Sequence, residues 1–78
     1  MRSFHDPQGR AWQAAVLDAS HGAVLLVFTP LEHDGLRRQR LAVDNLAAAL
    51  DLVAGLDEAD LCARLIAAEP WDPATDPS

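Results

Sequence analysis

Three histidines, one cysteine, a run of carboxylates and a cluster of arginines are the side chains of this 78-residue chain with chemistry to offer beyond solvation. His5, His21 and His33 each stand in or beside a turn signal, where a solvated imidazole is ordinary. No two of them have the i, i+4 helical spacing of a zinc-protease motif, and no second cysteine joins Cys62 in a thiolate site. Cys62 as a nucleophile would need a depressed pKa. It lies one turn into an acidic helix, where Glu58, Asp60 and Glu69 oppose the thiolate, so it is expected to pack as a small apolar residue. Asp57, Glu58 and Asp60 could pass for an acid/base pair, but acidic first turns are what helix starts use anyway. The glycines stand singly, with no phosphate-cradling loop, and Ser3, Ser20 and Ser78 sit in no nucleophile motif. The residues therefore assign no catalytic group, metal ligand or cofactor, and the chain reads as non-enzymatic.

Arg37, Arg38 and Arg40 are the most distinctive polar feature. They could contact a phosphate or an acidic partner. The reading favoured by their spacing is a charged edge strand, with arginines pairing to Glu32, Asp34 or the acidic helices.

Charge sets the background. The net charge is −6, and all six cations are arginines. Residues 1–40 sum to +1, with five arginines against four carboxylates; residues 41–78 sum to −7, with one against eight. Such a balance disfavours non-specific binding to nucleic acid or anionic membrane. A single cysteine excludes an internal disulfide, the N-terminus shows no apolar signal core, and the longest strongly apolar run, Ala23 to Phe28, is too short to span a bilayer. A cytoplasmic location is the expectation.

The elements that must position these groups follow from turn chemistry and periodicity. Asp6-Pro7-Gln8-Gly9 is a strong turn: Pro7 presets φ, and Gly9 accepts the left-handed conformation that closes a three-residue hairpin loop. That register sets Asp6 opposite Arg10 and Phe4 opposite Trp12, both favourable cross-strand pairs. Ser20-His21-Gly22 repeats the pattern. Pairing Ala19 with Ala23 then places Leu17 opposite Leu25, Val16 opposite Leu26 and Ala14 opposite Phe28. Residues 23–29 are apolar on both faces and read as a central strand. Residues 36–42 make a fourth strand, at the edge. Asp44 is the expected cap of a first helix that Gly55 stops, with Leu46, Leu50 and Val53 inward. Asp57 caps a second, Leu56 staples onto Leu61, and Leu61, Leu65 and Ala68 line its inner face, with Cys62 and Ile66 beside it, until Pro70 ends it.

The expected fold is α+β: an antiparallel sheet of three to four strands followed by a helical hairpin packed on one face, ββββαα, over residues 1–70. Residues 71–78 are a polar tail. Phe4, Trp12, Leu26 and Phe28 should lie beneath the helices, facing Leu46, Leu50, Leu61 and Leu65. Ala15, Leu17, Leu25 and Val27 fall on the other face, which two helices cannot also cover. Large apolar faces seek a partner, and a symmetric dimer is a simple one. The leading expectation is a non-enzymatic protein-interaction module, an adaptor or accessory subunit, that self-associates as a homodimer through Leu17, Leu25 and Val27. The alternative is a small nucleic-acid-binding or regulatory domain using Arg37, Arg38 and Arg40.

Overall fold

A computed structural model describes residues 2–18, 23–33 and 35–71. The chain runs β1 (Arg2–His5), β2 (Ala11–Asp18), β3 (Val24–Pro30), β4 (Arg37–Arg40), α1 (Leu46–Ala54), α2 (Glu58–Ala67) and β5 (Glu69–Pro70). The five strands form one antiparallel sheet in sequential order, and both helices pack on the same face. This is the α+β arrangement expected from the sequence.

The first hairpin closes as its turn chemistry requires. The Gly9 N–H donates to the Asp6 carbonyl and the Asp6 N–H to the Arg10 carbonyl, both at 2.9 Å. Gly9 sits at φ +83°, where any side chain would be strained. Phe4 consequently pairs with Trp12. Across β2 and β3, Leu17 faces Leu25, Val16 faces Leu26 and Ala14 faces Phe28, the register derived above. The Ser20-His21-Gly22 turn and Ala19 lie outside the described residues, as do Asp34 and the tail from residue 72.

Alternation then sorts the sheet. Phe4, Trp12, Ala14, Leu26 and Phe28 point under the helices and are buried, with Phe4 edge-on to Phe28 at 6.0 Å. Leu61, Leu65 and Ala68 meet them from α2.

Three expectations need correction. The first helix is capped by Asn45, not Asp44: the Asn45 side chain accepts from the Ala48 N–H at 2.8 Å. Its inner face is then Ala49 and Val53, while Leu46 and Leu50 point outward, 39% and 52% exposed. The helix is apolar nearly all round, with Asp51 its one charged residue, so periodicity alone could not fix which stripe turns inward. The fourth strand is not the edge, because Glu69 and Pro70 leave α2 and pair with Arg38 and Arg37 as β5. Trp71 continues this line by donating its N–H to the Leu36 carbonyl at 2.9 Å.

Helix C-termini expose carbonyls that need donors, and here distant arginines supply them. The Arg2 guanidinium donates to the carbonyls of Val53 and Leu56 at the end of α1. Arg37 reaches the Ala68 carbonyl at the end of α2, at 3.4 Å. Each puts positive charge at the negative end of a helix dipole.

Substitutions test this packing. Val53→Ala is expected to cost about 2 kcal/mol, from lost methyl burial and the cavity left behind. Leu50→Ala should stay within about 0.5 kcal/mol of wild type, as surface changes do. Trp12→Ala should cost about 3–5 kcal/mol. Denaturant unfolding of the three variants gives the order, and a Leu50 effect exceeding that of Val53 would reverse the phase of α1.

Candidate functional site: a groove between the first turn and the second helix

The groove begins with how α2 starts. Asp57 caps it, accepting from the Asp60 N–H at 2.8 Å, while the Asp60 carboxylate takes the Asp57 N–H at 3.5 Å. That reciprocal pair fixes the helix's entry and its rotation. With Leu61 and Leu65 buried, Ala59, Ala63 and Ile66 turn to the outside and Cys62 turns toward β1. The Cys62 thiol donates to the His5 carbonyl at 3.2 Å. The helix thus runs beside the end of β1 and the turn that follows.

Asp6 holds the other wall. One carboxylate oxygen accepts the backbone N–H groups of Gln8 and Arg10, both at 2.9 Å, and the other accepts the Trp12 indole N–H at 3.0 Å. Partial burial pushes the Asp6 pKa up. The hydrogen bonds from Arg10, Trp12 and Gln8, with the Arg10 charge, outweigh it and hold the carboxyl below its ordinary value. The turn is therefore stapled to a core tryptophan, and Pro7 is fixed facing α2.

Between these walls lie two adjoining clefts that share Asp6, Pro7 and Ile66. One, of about 470 Å³, reaches Arg10, Trp12 and Arg37. The other, of about 450 Å³, reaches Glu58 and Cys62. Ile66 stands between them, 73% exposed, more than any other large hydrophobic side chain among the described residues.

The arginine cluster does not form one patch. Arg37 points to the helix side. Arg38, on the opposite face, pairs with Glu69 at 3.0 Å and lies 5.7 Å from the Trp71 ring centre. Arg40 is exposed near the end of β4. On the open sheet face Leu25 is only 8% exposed, Val27 is half-buried and Leu17 is 41% exposed. His33 packs edge-on against Trp12 at 4.9 Å and His5 is exposed on β1; His21 lies outside the described residues. Among the described residues, no three histidine, cysteine or acidic side chains cluster as metal ligands would. No helix among them is long and apolar enough to cross a membrane.

Burial, then Glu58 and Asp6, push the Cys62 thiol up. Sequence reasoning anticipated that direction and the Glu58 contribution, but named Asp60 and Glu69 where the structure brings in Asp6. It did not find Arg2, Arg10, Pro7 or Ile66 as functional positions. The expectation that Ile66 lies beside the inner stripe of α2 is corrected: it sits about 100° around the helix from buried Leu65 and turns outward.

Two measurements follow. Cys62 should react with a thiol reagent at neutral pH more slowly than a free cysteine, and faster labelling would contradict the geometry. Asp6, with its folded pKa depressed, contributes stability that is present above its unfolded pKa of about 3.9 and is lost as pH falls through the lower folded value. Melting curves at pH 7 and pH 3 should show a smaller acid loss for Asp6→Ala than for wild type; equal losses would mean that the carboxylate is not engaged.

No family model matches the chain, and no curated protein or solved structure matches it.

Proposed function

We propose that the chain is a non-enzymatic protein-interaction module whose docking surface is the groove along the outer side of α2. The observation that carries this reading is Ile66, 73% exposed between two clefts on a small domain that buries its other β-branched aliphatics more fully. An exposed apolar side chain beside shallow, open clefts and rimmed by charge is a common feature of protein contacts. His5 and Glu58 line the same cleft as Cys62, but the thiol donates to the His5 backbone carbonyl, and burial, Glu58 and Asp6 push its pKa up, which favours the unreactive thiol.

Self-association is a second reading, supported by a different surface. The helices cover one sheet face only, and Leu17, at 41% exposure, with half-buried Ala15 and Val27, lies on the other. A two-fold partner would cover it with its own copy.

Ile66→Asp separates docking from folding. Its melting temperature should match wild type, while a partner that co-purifies with the tagged wild-type chain under mild salt should be lost. Full retention of that partner by Ile66→Asp would refute the groove as the contact. Sedimentation equilibrium addresses the second reading: a dimer that Leu17→Asp dissociates supports it, and a monomer mass across micromolar concentrations rejects it.

A further inference from the structure

The groove is polarised. Glu58 marks one end, Pro7, Cys62 and Ile66 form the middle, and Arg10 and Arg37 mark the other. Asp6 also lines it, but its oxygens are occupied by three N–H donors, and its charge offsets only one of the two arginines. Arg37 gives one guanidinium nitrogen to the Ala68 carbonyl and Glu58 one oxygen to the His5 N–H, both at 3.4 Å, and the other nitrogens of Arg37 and the second oxygen of Glu58 are what a ligand would meet. From Glu58 to Ile66 is eight residues of α2, about 12 Å at ~1.5 Å per residue. That span reaches only the middle of the groove, and it alone takes about four residues of extended chain at ~3.3 Å each.

Resting on the docking reading above, we propose that the groove takes a short extended peptide segment of a partner protein, longer than about four residues, with an apolar centre, a cationic residue at the Glu58 end and a carboxylate at the Arg10–Arg37 end. The apolar centre covers Ile66. Arginine presents a planar fork of donors suited to a carboxylate, and Arg10, just before β2, and Arg37, on β4, are far apart in sequence and brought to one cleft by the sheet. The opposite end offers a carboxylate to a cation. A ligand acidic throughout meets Glu58, and one basic throughout meets the two arginines, so the charge order supplies selectivity by repulsion as well as attraction.

Four acetylated, amidated octapeptides test this against the full-length, isotope-labelled chain: Arg-Ser-Ala-Leu-Val-Ala-Ser-Glu, the same core with Glu at both ends, with Arg at both ends, and with Gln at both ends. Amide shift changes should cluster at residues 6–10 and along α2 for the dipolar peptide, with affinity at least roughly fivefold above each of the others, the scale of one or two exposed ion pairs. Glu58→Lys should transfer the preference to the doubly acidic peptide, a reversal that mere destabilisation does not produce. No localised shifts with any peptide, equal affinity for the uncharged one, or an unchanged preference in Glu58→Lys would overturn the proposal. A partner lost by Ile66→Asp alongside any of those results would leave the docking reading standing and remove the polarity.

Discussion

The two carboxylate oxygens of Asp6 organise the first hairpin and the wall of the groove. They accept three N–H groups, two from the turn backbone and one from the Trp12 indole. The backbone bonds close the turn, and the indole bond ties it to the sheet. Hydrogen bonds to a charged acceptor are the stronger kind, and Trp12 is a large side chain whose polar edge would otherwise have to be desolvated. With the turn closed, Phe4 must face Trp12, and the two-residue repeat of a strand then decides which side of every later strand lies under the helices. A slip of one residue would send Phe28 and Leu26 to the uncovered face.

The same staple joins fold to groove. Asp6 and Pro7 are a wall only because the turn is held, and Arg10 and Arg37 approach one cleft only because β1 through β4 pair in sequential order. The helices are anchored to this sheet by more than apolar burial. Arg2 and Arg37 bond to the carbonyls at the C-terminal ends of α1 and α2, and Arg64 of α2 donates to Gln39 of β4 at 3.0 Å. Four of the six arginines therefore hold the structure together: those three, and Arg38 in its pair with Glu69. That leaves less free positive charge than the sequence cluster implied.

How much of this could be read from the residues follows from where each decision is made. The hairpin was legible because Asp6-Pro7-Gln8-Gly9 is a local signal that fixes a long-range register. The start of α2 was legible because Asp57 suits a cap and Glu58 and Asp60 a first turn, and Leu61 and Leu65 marked its inner stripe, but Ile66, read as lying beside that stripe, turns outward. The rotation of α1 was not legible: Asp44 and Asn45 can both cap, and nearly every position beyond them is apolar, so packing against β2 chooses the stripe. Two-residue β5 carries a proline and no strand pattern, and it exists because the chain leaving α2 meets the open side of β4. The groove was invisible for a related reason. Its walls are 50 or more residues apart in sequence, and neither the turn nor the helix face announces the other.

The central claim is that the Asp6 carboxylate and the Trp12 indole bond holds the turn against α2. Following the Trp12 indole proton by NMR from pH 7 to pH 2 tests it most directly. The account predicts a proton protected from solvent exchange at neutral pH, whose shift moves in one step with the protonation of Asp6, below the usual aspartate range, and whose protection falls in Asp6→Asn. An indole proton that exchanges freely at pH 7, or whose shift ignores that titration, would contradict it.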